Sequence, residues 1–186
     1  MFTIGHSTRT IEAFVALLVR EHIAHLADIR TFPASRRHPH FNRDALRASL
    51  ESHGIRYSHH AALGGRRRAR PDSRNGAWRN ESFRGYADHM ETAEFENGVR
   101  ALLEIARAER TVAMCAEAVP WRCHRSLLSD ALVARGIGVE HIMDGGVSAH
   151  QMTKFAVVTG EGRVSYRDAV QAAGDSTVGQ VELFEG

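Results

Sequence analysis

The sequence has few cysteines and lysines and no long hydrophobic run, and these shortages narrow the classes of protein to which it can belong. No stretch of about 18 apolar residues occurs in the chain, so we expect no membrane-spanning helix. Two cysteines do not make a disulfide framework in a chain of 186 residues. The amino-terminal residues do not resemble a secretory signal peptide, so we expect a cytoplasmic protein. In that reducing compartment the thiols are expected to serve chemistry rather than a disulfide.

The positive charge is carried almost entirely by arginine and is unevenly distributed. Of 24 basic residues all but Lys154 are arginine, although the net charge is only +2. Seven arginines lie between positions 66 and 84. Guanidinium groups suit phosphate ligands, and arginines interleaved with aromatic residues bind nucleic acid. We therefore predict nucleic-acid contacts for Arg66, Arg67, Arg68 and Trp78, with a solvated loop as the alternative.

Short apolar runs alternate with amphipathic helical patterns along the chain. Helix-capping side chains stand at Thr10, Asn42, Asn80 and Thr92. The alternation predicts a single α/β domain over residues 1–170, with a mainly parallel open sheet, flanking helices and a carboxyl-terminal hairpin turning at 160–162. Residues 171–186 are expected to form a mobile tail.

The two cysteines lie around the end of one predicted strand and the beginning of a helix. Cys115 follows an apolar run, and Cys123 begins an amphipathic pattern. A helix amino terminus with basic neighbours lowers the pKa of a thiol. We therefore predict that Cys123 or Cys115 is the nucleophile or redox thiol and that His124 or Glu117 is the acid–base group. The alternative is a pair of buried, inert thiols.

The layout of strand, cysteine, loop and helix is similar to the loops of phosphatases and rhodaneses. Those loops have the spacing Cys-x5-Arg, whereas Arg122 lies one residue too far from Cys115. We therefore exclude that match and retain only the general thiol chemistry.

Polar residues follow three of the predicted strands. They are His6 with Ser7, Asp28 with Arg30, and Cys115 with Glu117. Parallel strands present their carboxyl ends at one edge of the sheet, where ligands bind in open α/β folds. We therefore predict a substrate site formed by His6, Ser7, Asp28, Arg30, Ser35 and Arg125. On this interpretation, replacing Arg30 with alanine weakens anion binding and leaves thermal stability nearly unchanged.

Six motifs in a fixed order resemble one known family. They are TIGHS, LADIRTFPASRRHPHFN, IRYSHHAALGGRR, FRGYADHM, MCAEAVPWRCHRSLLSDALVARG and VEHI. Together they are similar to the domain of unknown function 488 family, over about residues 2–157. The resemblance implies a single cytosolic α/β domain and brings no reaction. It singles out His6, Ser7, Asp28, Arg30, Ser35, Cys115, Glu117, Cys123, His124 and Arg125.

These observations predict a thiol-dependent enzyme that acts on an anionic, phosphate-bearing substrate, and they identify no cofactor. Two alternatives stay open. Cys115, Cys123 and His124 could ligate zinc or iron with His6 or His59, although Cys-x7-Cys-His is not a usual structural-zinc spacing. The arginine-rich stretch instead suits a nucleic-acid-associated protein, whose affinity for DNA would fall steeply with salt.

The carboxyl terminus carries a short motif of a different kind. Gln180, Leu183 and Phe184 resemble the peptide that binds the bacterial sliding clamp of DNA replication, although Val181 stands where leucine is commoner. The alternative is that Leu183 and Phe184 pack on their own domain, because single apolar surface residues need no special role. The motif predicts the clamp as a partner and a role at replicating or repaired DNA.

Overall fold

A computed structural model describes residues 1–168, which form a six-stranded sheet with helices on both faces. The strands of this sheet are β1 (Phe2–Gly5), β2 (His25–Asp28), β3 (Arg56–His59), β4 (Thr111–Cys115), β5 (Glu140–Met143) and β6 (Gly146–Ala149). The helices are α1 (Ile11–Arg20), α2 (Arg43–Glu51), α3 (Glu81–His89), α4 (Ala93–Ala108) and α5 (Arg125–Ala134). A separate hairpin consists of β7 (Val157–Thr159) and β8 (Arg163–Ser165), which a turn over 160–162 connects. The predicted α/β class, mainly parallel sheet and hairpin are confirmed.

The strand order of the sheet is β3-β2-β4-β1-β5-β6. All neighbouring strands are parallel except β5 and β6, which are antiparallel. The chain leaves β1 for β2 in one direction across the sheet, and it leaves β4 for β5 in the other. The connections that leave the neighbouring strands β1 and β4 therefore run in opposite directions across the sheet, and the carboxyl ends of strands where the direction reverses are where open α/β sheets bind their ligands.

Each face of the sheet buries its own apolar cluster. Phe14 and Leu18 of α1 and Leu46 of α2 lie in the first cluster, on one face. The other cluster contains residues of α3, α4 and α5, including Tyr86 and Leu127. Because parallel strands are buried on both faces, short apolar runs without alternation were the right strand signal here.

Three of the four predicted helix caps form as expected. The side chains of Thr10, Asn80 and Thr92 each accept a backbone N–H from the first turn of α1, α3 and α4. Asn42 precedes α2, but its Oδ1 accepts the backbone N–H of Ser35 at 2.6 Å instead. This side chain therefore holds the loop that follows β2 rather than the end of its own helix.

Helix α5 begins two residues later than the sequence pattern predicts. A short turn over 120–122 starts at Pro120, and Cys123 after it is extended, with φ −137° and ψ 149°. The thiol of Cys123 therefore stands just ahead of the helix amino terminus, with His124 as the capping residue. The predicted domain boundary after 170 and the tail 171–186, with Gln180, Leu183 and Phe184, lie outside the described residues.

Candidate functional site

The connections that follow β1, β2 and β4 enclose a cleft of about 900 Å³ at the carboxyl edge of the sheet. Nine of the residues predicted from the sequence line this cleft together: His6, Ser7, Arg30, Ser35, Arg66, Cys115, Glu117, Cys123 and His124. The pairing of β1 with β4 continues past both strands, since the backbone N–H groups of His6 and Ser7 donate to the carbonyls of Cys115 and Ala116. This continuation brings the two connections side by side.

The two thiols are in direct contact in the floor of the cleft. The Sγ atoms of Cys115 and Cys123 are 2.8 Å apart, and both cysteines are free thiols. The Sγ of Cys123 also lies 3.5 Å from Nδ1 of His124. Both residues are buried, with 1% and 4% of their surface exposed, although both line the cleft.

The surroundings of the two thiols shift their pKa values in opposite directions. Burial raises the pKa of the Cys115 thiol well above its ordinary value, and the hydrogen bond with Cys123 raises it further. Burial also acts to raise the pKa of Cys123, but hydrogen bonds from Cys115 and His124 and the charge of Arg125 outweigh it, so that this pKa is well below ordinary. These shifts favour Cys123 as the thiol of the pair that ionises first, with the Cys115 thiol as its hydrogen-bond donor.

His124 is held beside Cys123 by close packing. Its ring contacts Tyr86, with ring centres 5.1 Å apart, and Gly65 also lies close against the ring. A Cβ atom at Gly65 would stand 2.3 Å from Nδ1 of His124, so only glycine allows this approach. Nε2 of His124 is buried and has no hydrogen-bond partner within residues 1–168.

Arg125, which the sequence analysis assigned to substrate binding, is buried behind the site and does not line the cleft. Only 1% of its surface is exposed. Its Nη2 donates to the carbonyl oxygens of Glu117 and Ala118 at 2.7 and 3.2 Å. No carboxylate within residues 1–168 forms an ion pair with it. Its guanidinium therefore holds the loop that follows β4 and supplies positive charge near Cys123.

A buried chain of hydrogen bonds extends from Arg125 to Asp130. Arg125 lies 3.4 Å from Oγ1 of Thr3, which is 2.7 Å from Nδ1 of His141. His141 contacts His150 at 3.0 Å, and His150 contacts Asp130 at 2.8 Å. Arg125 donates to the Thr3 hydroxyl at one end of this chain, and the carboxylate of Asp130 accepts from His150 at the other end. Burial lowers the pKa of His141 to about 4, which keeps this ring neutral at pH 7.

Asp28 and Arg30 form a buried ion pair beside the cleft. Two nitrogens of the guanidinium donate to the two carboxylate oxygens at 2.9 and 2.6 Å. The hydroxyl of Tyr57 donates to the same carboxylate at 2.8 Å. Asp28 is fully buried, whereas Arg30 lines the cleft. Most of the donor capacity of Arg30 is thus already used within the protein.

His6 is the neutral base of the cleft. Its Nδ1 contacts the carbonyl oxygen of Ser7 at 2.9 Å, and its Nε2 lies 3.5 Å from Nη1 of Arg30. Burial and the nearby Arg30 lower the pKa of His6 to about 4. The ring stacks on Phe41 at 4.2 Å, which fixes its orientation. Ser7 has a positive φ of 52°, and such strain in a residue other than glycine is concentrated at functional sites.

The cleft carries more positive than negative charge. Arg30, Arg37, Arg66 and Arg122 line it, and Glu117 is its carboxylate. Arg37, Arg66 and Arg122 are exposed and form no ion pair with any described residue. A cleft of this kind attracts anions because its unpaired guanidinium groups supply both charge and forked hydrogen bonds.

The other residues predicted to contact nucleic acid lie elsewhere. Arg67 forms an ion pair with Glu94 at 3.1 Å and also donates to backbone carbonyls, so it holds its own loop together. Arg68 is exposed but does not line the cleft. Trp78 stacks on Phe83 at 4.7 Å and is partly buried, which leaves little of its ring surface available for a base.

Two other expectations concern metals and membranes. Within residues 1–168, no three His, Cys, Asp or Glu side chains are grouped so that they could hold a metal ion. His59, one of the predicted ligands, instead contacts the backbone carbonyl of Arg30 at 2.8 Å. None of the helices in this part of the chain is long and apolar enough to cross a membrane.

Sequence reasoning missed parts of the site. Arg37 and Phe32 lie in the loop after β2, where the local signal was an arginine pair between two prolines. Arg122 was set aside because it fails a known spacing, yet it lines the cleft. The buried chain from Thr3 to Asp130 has no local signal, since its members are scattered along the sequence.

Comparison with known proteins identifies one family. The family model of the domain of unknown function DUF488 matches residues 10–132, a stretch that contains both cysteines. No curated protein and no solved structure matches the chain.

Proposed function

Since the chain belongs to the domain of unknown function DUF488 family, we propose a function for it from the site: it is a cysteine-dependent enzyme that acts on an anionic, phosphate-bearing substrate. The observation that carries the proposal is the contact of Cys115, Cys123 and His124 in the floor of a cleft lined by arginines. A thiolate is a strong nucleophile, and a cationic cleft concentrates anionic substrates around it.

In the proposed reaction, the Cys123 thiolate forms a bond to the electrophilic atom of the substrate. The leaving group departs with its bonding electron pair and takes a proton from water or from the acid–base group, His124 or Glu117, both of which line the cleft. A water molecule or another acceptor then attacks the covalent intermediate. Its proton passes to the same group or to solvent, and the Cys123 thiolate is released.

The other residues of the site prepare this chemistry. The Cys115 thiol and the His124 ring stabilise the thiolate by hydrogen bonds, while Arg125 adds charge from behind. Arg37, Arg66 and Arg122 hold the anionic part of the substrate. Free thiols persist in a reducing compartment, so the proposal places the protein in the cytoplasm.

Alkylation of the native protein tests the proposal directly. At pH 6 less than about 1% of an ordinary thiol with a pKa of about 8.5 is ionised. Because the site lowers the pKa of Cys123, we expect iodoacetate to modify Cys123 at this pH and to leave Cys115 unmodified. Because the cleft is cationic, we also expect the anionic reagent to react faster than neutral iodoacetamide. Peptide mass spectrometry measures both rates.

Three variants act as controls for this experiment. Cys123→Ser should abolish the modification, and Arg122→Ala should reduce the preference for the anionic reagent. Arg68→Ala changes an exposed arginine outside the cleft and should alter neither result. If both cysteines react only after unfolding, the thiols are structural and the enzyme proposal fails.

The carboxyl-terminal motif supports a separate proposal from the sequence alone, that the protein binds the DNA sliding clamp. A synthetic peptide of residues 177–186 should bind the bacterial clamp with a dissociation constant in the micromolar range, about −8 kcal/mol. Leu183 and Phe184 would fill an apolar pocket, so replacing both with alanine in the full chain should abolish binding without unfolding the domain. Failure of the unmodified protein to bind the clamp in fluorescence anisotropy would remove the link to replication.

A further inference from the structure

An exposed aromatic ring stands on the wall of the cleft. Phe32 lines the cleft in the loop after β2, and 66% of its surface is exposed. Burial of a phenylalanine side chain stabilises a protein by about 2 kcal/mol, so an exposed ring forgoes that stabilisation. Because the ring lines the same cleft as the two thiols, rather than a distant surface, it is placed to contact a ligand there.

The neighbour of this ring is a guanidinium group. The Cζ atom of Arg66 lies 5.9 Å from the centre of the Phe32 ring, over its face. Arg66 is exposed and forms no ion pair within residues 1–168, so it is free to shift. A flat base between the two groups needs two contacts of about 3.5 Å each. An outward movement of Arg66 by roughly 1 Å would therefore accommodate one.

An aromatic face and a planar guanidinium are the two surfaces on which proteins stack nucleic-acid bases. The remaining unpaired arginines of the cleft, Arg37 and Arg122, suit phosphate oxygens. A volume of about 900 Å³ lies within the range of small-ligand sites and is ample for a nucleotide. A sugar phosphate without a base would use the arginines of the cleft but not the Phe32 ring.

We propose that the cleft binds a nucleoside phosphate, with the base against Phe32 and Arg66 and the phosphate among the other arginines. The inference rests on the proposed function and specifies its substrate class. A base joined to a sugar phosphate occurs both in free nucleotides and at the phosphorylated end of single-stranded nucleic acid, and this is the chemistry that the two sources share.

Calorimetric titration of the full chain with four probes tests the inference. The probes are AMP, ribose 5-phosphate, inorganic phosphate and a 5′-phosphorylated single-stranded oligonucleotide. Because stacking is worth about 1–3 kcal/mol per base, AMP should bind at least about fivefold more tightly than ribose 5-phosphate. Tighter binding of the oligonucleotide than of AMP would identify a strand end as the source. Equal or weaker binding would identify a free nucleotide.

Variants separate stacking from charge and from simple apolar contact. Phe32→Leu and Arg66→Lys should each remove most of the preference for AMP over ribose 5-phosphate, whereas Phe32→Trp should retain it. Arg68→Ala, which removes an exposed arginine outside the cleft, should leave all affinities unchanged.

The outcomes distinguish this inference from the proposed function. If ribose 5-phosphate and phosphate bind and protect Cys123 from iodoacetate but the base adds no affinity, the nucleotide inference is overturned and the enzyme proposal stands. Binding of AMP that Phe32→Leu does not weaken would also overturn the inference. If none of the four probes binds, both proposals fail.

Discussion

Replacing Arg30 with alanine is expected to destabilise the folded protein by about 3–5 kcal/mol. The substitution leaves the carboxylate of Asp28 fully buried without the guanidinium that now binds both of its oxygens. The hydroxyl of Tyr57 still donates to it, but a neutral donor does not offset a buried charge. Urea unfolding of the variant and the unmodified protein measures the difference in the free energy of unfolding.

A double-mutant cycle assigns this loss to the pair. Asp28→Ala and Arg30→Ala should each cost several kcal/mol, and the double variant should lose clearly less than the sum of the two. Arg37→Ala is the matched control, because this arginine is exposed in the same loop and lines the same cleft. It should change stability by no more than about 0.5 kcal/mol. A loss below about 1 kcal/mol for Arg30→Ala would show that the pair does not hold the loop.

Gly5→Ala is expected to disrupt the site and the fold together. An added Cβ atom would stand 1.6 Å from the carbonyl oxygen of Glu117 and 2.9 Å from Nη2 of Arg125. The obstacle is backbone, so the loop after β4 has to move and its hydrogen bond with Arg125 is lost. Overpacking of this kind costs about 3 kcal/mol or more. Displacement of the loop should also separate Arg125 from the thiols and raise the pKa of Cys123.

Two measurements check this prediction. Thermal unfolding gives the change in stability, and the rate of iodoacetate labelling against pH gives the acidity of Cys123. Gly145→Ala is the control, since nothing lies within 4 Å of an added Cβ there. An unchanged labelling profile in folded Gly5→Ala protein would show that the loop after β4 does not set the acidity of the thiol.

The sequence alone does not determine whether Arg30 binds a ligand or stabilises the fold. From the sequence, Arg30 was a substrate ligand whose loss would hardly affect stability. The structure places its guanidinium against Asp28, and this changes the expected effect from binding to folding. The sequence shows that Asp28 and Arg30 stand two residues apart at the end of a strand. It does not show whether their side chains contact each other or a ligand.

The sequence by itself determined most of the elements and their order. Apolar runs, helical periodicity and the capping residues Thr10, Asn80 and Thr92 are local signals, so the helices, the hairpin and every strand of the sheet except β6 could be predicted from neighbouring residues. Because parallel strands end at one edge of the sheet, the sequence also predicted that His6 and the two cysteines lie in one site.

Only the tertiary structure decided which charged groups are satisfied and which face the cleft. Arg67 is paired with Glu94, whereas Arg37 and Arg122 have no ion-pair partner among the described residues. Trp78 packs on Phe83, whereas the Phe32 ring is exposed. These outcomes depend on distances of a few ångströms between residues far apart in the chain, because ion pairs and ring contacts form across the sheet and its loops rather than along the sequence.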